Sequence, residues 1–179
     1  DEAETLLRDV ERKVEELKRR SEKLLRDVEE LVRRLLRSNE ESLKKVKEDL
    51  KRLKDLVRRG DVDEETVKEV KKRLKEILDE DKKELREVIE RAKEISKRHK
   101  EEVEKAVEDL KRILEDMARK GVRDEVLREV DRVIDDVRRA LKKVNEEIEE
   151  VIRRLKRESE RVNKEAEEII RTLEDALRK

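Results

Sequence analysis

Leucine, valine and isoleucine recur along this chain in steps of four and three residues. From the amino end the line reads Ala3, Leu7, Val10, Val14, Leu17, Ser21, Leu24, Val28, Leu31 and Leu35. Steps of this size stay on one face of an α-helix and make a heptad seam. The line continues through Asn39, Ser42, Val46, Leu50, Leu53 and Val57, with extra four-residue steps. Such steps relax a left-handed supercoil toward straight helices. The last third does the same, through Val130, Ile134, Val137, Leu141, Val144, Ile148, Val151 and Leu155, then Ser159, Val162 and Ala166. Lysine, arginine, glutamate and aspartate fill most positions between.

Two glycines, Gly60 and Gly121, cut the pattern into three nearly equal segments. Before each, basic residues fill the last turn: Arg58 and Arg59, then Arg119 and Lys120. Cations suit the negative end of a helix dipole, and glycine adopts the left-handed conformation that closes a helix. After Gly121, Val122 can fold back onto Met117. Asp63 can cap the second helix, with Val62 and Val67 at the spacing of a hydrophobic staple. Asp124 and Glu125 open the third helix; Asp1, Glu2 and Glu4 open the first. The pattern predicts helices over about 2–59, 63–120 and 124–178, within a single domain spanning 1–179. Helices of nearly 60 residues run roughly 85–90 Å at the α-helical rise. Connections of three or four residues force sequential helices antiparallel. The expected fold is all-α: an elongated antiparallel up-down-up three-helix bundle with short Gly-capped loops.

A second row of apolar residues flanks the seam, among them Leu6, Leu25, Val32, Leu36, Leu43, Ile77, Ile89, Val107, Leu114, Ile152 and Ile170. A two-stranded coil needs only the narrow stripe, whereas a helix touching two neighbours needs about three apolar positions per heptad. The wide stripe therefore favours a bundle closed within one chain and a monomer. A self-associating bundle, or a three-helix receptor for a partner helix, is the competing reading. Its groove would lie along Leu25, Val32, Leu36 and Leu43.

Composition narrows the functional classes. The chain has no Phe, Tyr, Trp, Cys, Pro or Gln. Charged residues are 59%, and the 53 basic and 53 acidic residues cancel. The signs are finely mixed, so no basic face is set aside for nucleic acid, and without aromatics there is no stacking platform for single strands. No apolar run approaches the ~20 residues a bilayer span needs. Absent cysteine leaves the redox compartment unreadable. The sequence opens on Asp1, from which a removed or omitted start residue or tag is expected.

The few uncharged polar residues carry the remaining information. With the helices folded up-down-up, residues level with each other in the first two have numbers adding to about 122, and in the last two to about 244. His99 then meets Asn145 and comes within a turn of Ser21. Asp81, in the seam between Leu78 and Leu85, meets Asn163 and Ser42, with Asn39, Ser38 and Ser159 a turn away. These are expected to form two buried hydrogen-bond networks that penalise slipped registers. A neutral imidazole offers one donor and one acceptor, which Asn145 and Ser21 can match. A lone histidine does not make a zinc site, and no glycine-rich turn offers an oxyanion hole to Ser21. No enzyme activity, metal, cofactor or required partner is expected.

The stretches Asp1-Glu-Ala-Glu-Thr-Leu-Leu and Gly60-Asp61-Val62-Asp63-Glu64-Glu65, with Glu/Lys/Arg surfaces free of Gln, resemble those of de novo designed helical bundles. The likeness covers the whole chain. It implies a parametric coiled-coil-like scaffold with buried hydrogen-bond networks and no natural activity. Spectrin-type three-helix repeats are the natural lookalike, but their helices are shorter and carry a core Trp.

Overall fold

The computed structural model describes the backbone of residues 2–61 and 63–178, and their side chains except at 173 and 176–178. Three helices account for nearly all of it: α1 (Glu2–Arg59), α2 (Glu64–Arg119) and α3 (Asp124–Arg178). No strand occurs among the described residues.

The helix ends follow from local chemistry. Gly60 and Gly121 have φ of 72° and 77°, the left-handed region that costs glycine nothing. Around Gly121, the Val122 N–H donates to Met117 O at 3.1 Å and the Gly121 N–H to Ala118 O at 3.2 Å. Around Gly60, the Asp61 N–H donates to Leu56 O and the Gly60 N–H to Val57 O, both at 3.2 Å. This pair of bonds is the Schellman closure, which satisfies two otherwise orphaned carbonyls. Val122 packs against the cluster that contains Met117, as the cap's apolar contact requires. At the start of α2 the Thr66 N–H donates to Asp63 Oδ1 at 2.9 Å, a side-chain N-cap. The proposed staple to Val62, and Asp1 at the start of α1, lie outside the described residues.

The chain divides into two compact units. The first comprises Asp1–Glu29 and Ala92–Val151, the second Glu30–Arg91 and Ile152–Lys179. All three helices contribute residues to each.

In the first unit the core gathers Val10 and Val14 from α1, Val107, Leu110 and Met117 from α2, and Val130, Ile134, Val137 and Leu141 from α3. The start of α1 shares a groove with the α2–α3 turn, while Ser21 meets His99 further along. As α1 advances, α2 therefore runs backward. In the second unit the buried positions include Val46, Leu50 and Leu53 of α1, Leu74, Leu78 and Leu85 of α2, and Leu155, Val162 and Ala166 of α3. Here Glu40 pairs with Arg161 and Lys47 with Glu165, so α1 and α3 run the same way.

The buried line of α1 departs from the expected one in the second unit. Val32 and Leu43 are buried at 6% and 4% exposure, whereas Leu31, Leu35 and Ser42 are half-buried. Each four-residue step carries the stripe about 40° past a full turn of a 3.6-residue helix. The extra steps between Val28 and Leu43 thus move the centre of the stripe onto what the sequence presents as a flanking row.

Candidate functional site: two polar layers

His99 lies in the interior of α2 with 3% of its surface exposed, bracketed by Ile95 and Val103. Its Nε2 is 2.9 Å from Ser21 Oγ on α1, and its Nδ1 is 3.4 Å from Asn145 Oδ1 on α3. The tautomer follows from the far end. Asn145 Nδ2 donates to Glu149 Oε1 at 3.3 Å, which turns the amide oxygen toward His99. An amide oxygen only accepts, so Nδ1 carries a hydrogen, and in the neutral ring Nε2 then accepts from the Ser21 hydroxyl. Glu149 is paired in turn with Lys100, one residue beyond His99. A relay of hydrogen bonds thus runs Ser21, His99, Asn145, Glu149 through all three helices of the first unit, from a buried hydroxyl to a surface ion pair. Ser96, one turn before His99, is buried as well.

The order serine, imidazole, amide resembles that of an acyl-transfer relay, but the surroundings differ. Ser21, His99 and Asn145 all sit in helix interiors. There each backbone N–H is already bonded to a carbonyl four residues earlier. No backbone donor is free to receive a developing oxyanion. Two grooves flank the imidazole, one along Leu17, Leu24 and Ala106, the other along Arg138, Leu141 and Lys142. Among the described residues no group of three or more His, Cys, Asp or Glu is placed to hold a metal ion. No described helix is long and apolar enough to cross a membrane.

The second layer is in the other unit. Asp81 is half-buried, with the Ser42 hydroxyl of α1 near its carboxyl. Burial pushes the carboxyl above its ordinary value of 3.8; the Ser42 hydroxyl opposes this and the neighbouring Glu80 charge adds to it. Asn39 is fully buried, Ser159 nearly so, and Asn163 half-buried. Ser38 faces solvent and takes no part.

The expectation of a closed network here needs correcting. Asp81 Oδ2, Asn163 Oδ1 and both side-chain polar atoms of Asn39 are buried without a hydrogen-bond partner. Three of these four orphan atoms are acceptors, and the fourth, Asn39 Nδ2, is a donor that reaches none of them.

Ion pairs tie the surface across the helices of the second unit. Lys47 reaches Glu165 at 3.4 Å, and Lys71 and Lys75 reach Glu174 at 3.6 and 3.7 Å. Arg161 touches Glu158 at 2.9 Å, Glu165 at 3.0 Å and Glu40 at 3.7 Å. The bond to Glu158 is the main cause that holds its guanidinium still more firmly protonated.

Sequence reasoning missed Glu149 and Lys100 as the outer end of the His99 relay. The available signal was spacing: Glu149 follows Asn145 by four residues, where helix side chains meet. Many other pairs on this surface share that spacing, so it singled nothing out.

With these layers in place, the molecule belongs to the all-α three-helix class. No protein-family model and no curated protein matches the chain. Among solved structures it is similar to one described as a computationally designed three helix bundle, with 22% sequence identity and a TM-score of 0.47. The alignment covers 99% of this chain and 90% of that one. At that identity and score, the likeness says nothing about sites.

Proposed function

We propose that this chain is a designed structural scaffold, a monomer whose work is to hold a shape and which needs no cofactor or partner. The observation that carries the reading is the use of its apolar surface. Among the described residues, only Leu56 at 39% and Ile77 at 41% are large hydrophobics left exposed. Val32 and Leu43, which would floor a groove for a further helix, are buried, and Leu25 and Leu36 are half-buried. Scattered single residues of this kind are ordinary on a monomer, whereas a receptor exposes a contiguous patch. The composition supports design: long helices of nearly equal length, glycine only at the two caps, and a core built mostly of Leu, Val and Ile without any aromatic residue. In this reading the polar layers fix register, because slippage would set Ser21, His99 and Asn145 against Leu or Val.

Light scattering of the purified chain tests it. A mass near 21.7 kDa at micromolar concentration is expected. Twice or three times that mass would replace the scaffold with a self-associating module.

A further inference from the structure

We propose that the Asp81 layer of the second unit is a proton-binding site: Asp81 takes up a proton on Oδ2 and donates it to Asn163 Oδ1, so that the neutral acid suits the folded unit better than the carboxylate does.

The Ser42 hydroxyl lies close enough to the Asp81 carboxyl to favour its ionised form, which sets α1 against α2. Lys71 and Lys75 reach Glu174; going ten residues on from Lys71 and eleven back from Glu174 brings Asp81 level with Asn163. The Glu40–Arg161 and Lys47–Glu165 pairs put Asn39 and Ser42 at that same level of α3.

Asn39 leaves one orphan donor in this layer, Nδ2, and it reaches neither of the orphaned oxygens of Asp81 and Asn163. Asp81 Oδ2 and Asn163 Oδ1 are both buried acceptors without a donor. Two acceptors cannot bond each other, but one proton between them satisfies both. In the step itself Asp81 gains one proton from solvent and one O–H bond, and the layer loses one negative charge.

The surrounding charges do not hold the ionised form. On α2 they are Glu80 and Lys82, on α1 Glu41 and Lys45, and on α3 Glu160 and Lys164. The neighbouring Glu80 charge opposes ionisation of Asp81. Arg161 is engaged by Glu158, Glu165 and Glu40.

The sign of the effect follows from linkage. The folded-state value is raised, so the unfolded chain ionises Asp81 first as pH rises from 3.8. Stability from this group is full below 3.8 and is lost as pH rises through the folded value.

Asp81→Asn provides the test, because an amide imitates the neutral acid: its oxygen can accept from Ser42 and its N–H can donate to Asn163. Urea midpoints of the full-length wild type and variant are compared at pH 7.5 and at pH values down to 3.8. Every other carboxylate is common to both, so its acid loss cancels in the difference. The variant is expected to be more stable at pH 7.5, with the gap closing toward acid. A gap that is absent or independent of pH overturns the proposal. Carbon NMR of the Asp81 carboxyl in the folded wild type gives a second reading. A midpoint above 3.8 is expected, and one at or below it overturns the assignment whatever the variant does.

Discussion

At the scale of single residues, burial separates positions that look alike in sequence. Leu85 and Ile77 are both branched aliphatics on α2, yet Leu85 is fully buried and Ile77 is 41% exposed. Leu85→Ala is expected to cost roughly 2–5 kcal/mol, through lost transfer energy and a residual cavity. Ile77→Ala should stay within about 0.5 kcal/mol, as surface changes do. Chemical denaturation of the two variants checks the contrast; equal losses would mean the burial assignment is wrong. Part of the polar chemistry was legible at this scale. Helix geometry and two short turns are enough to set His99 level with Asn145 and Ser21, where the hydrogen bonds lie. Whether each polar atom finds a partner was not legible. Asn39 has the right level and full burial, but its amide bonds nothing, because a bond depends on rotamer and on tenths of an ångström that periodicity does not carry.

At the scale of elements, the ends of the helices are where sequence speaks most directly, since a cap is a local event between a few named groups. The Gly121 conformation is the clearest case. Nothing lies within 4 Å of where a Cβ would stand, so a substitution there meets no clash and feels only the backbone. Gly121→Ala is expected to cost about 1–2 kcal/mol, the left-handed penalty of an L-residue. Gly121→Asn should cost less, because asparagine tolerates that region. Urea melts of both variants decide it, and an alanine variant as stable as the wild type would contradict the cap. Asp63 makes a second prediction. Hydrogen bonds from the Thr66 hydroxyl, and then from its backbone N–H, hold the Asp63 carboxyl below its ordinary value of 3.8. A depressed folded-state value means stability that is present above 3.8 and lost as pH falls through the lower folded value. Asp63→Ala is therefore expected to be less stable than the wild type at pH 7, with the difference fading at pH well under 3.8. A difference that persists unchanged deep into acid would assign the loss to something other than the charged cap. The path of the buried stripe was less legible than the ends. In α1 a uniform series of apolar steps leaves open which row lies deepest, and only contact with two neighbours selects Val32 and Leu43.

At the scale of the whole molecule, three helices and two turns were readable from periodicity and glycine alone, but the two compact units were not. The boundaries at Glu29/Glu30, Arg91/Ala92 and Val151/Ile152 fall inside continuous helices and interrupt no pattern. Each unit holds one polar layer, so a single chain-long periodicity carries two differently satisfied cores. The surface behaves uniformly by contrast, and its charges set the last prediction. With 53 basic and 53 acidic residues the chain has no net charge for salt to relieve. Its ion pairs are largely exposed: Lys47–Glu165 leaves 55% and 30% of its two side chains open, and Arg34–Glu30 leaves 79% and 49%. Pairs of this kind contribute about 0–1 kcal/mol each, and salt screens them. Stability is instead expected to reside in apolar burial, which salt does not weaken. Raising sodium chloride from roughly 0.05 M, where screening is weak, to about 1 M, where the Debye length is near 3 Å, should leave the core untouched. A loss of one kcal/mol moves the thermal midpoint of a chain this size by about 2–4 °C, so the expected fall is at most about 5 °C. Circular dichroism melts at the two salt concentrations measure it. A fall beyond about 10 °C would require several kcal/mol from screened charges and would move the principal source of stability from the core to the surface.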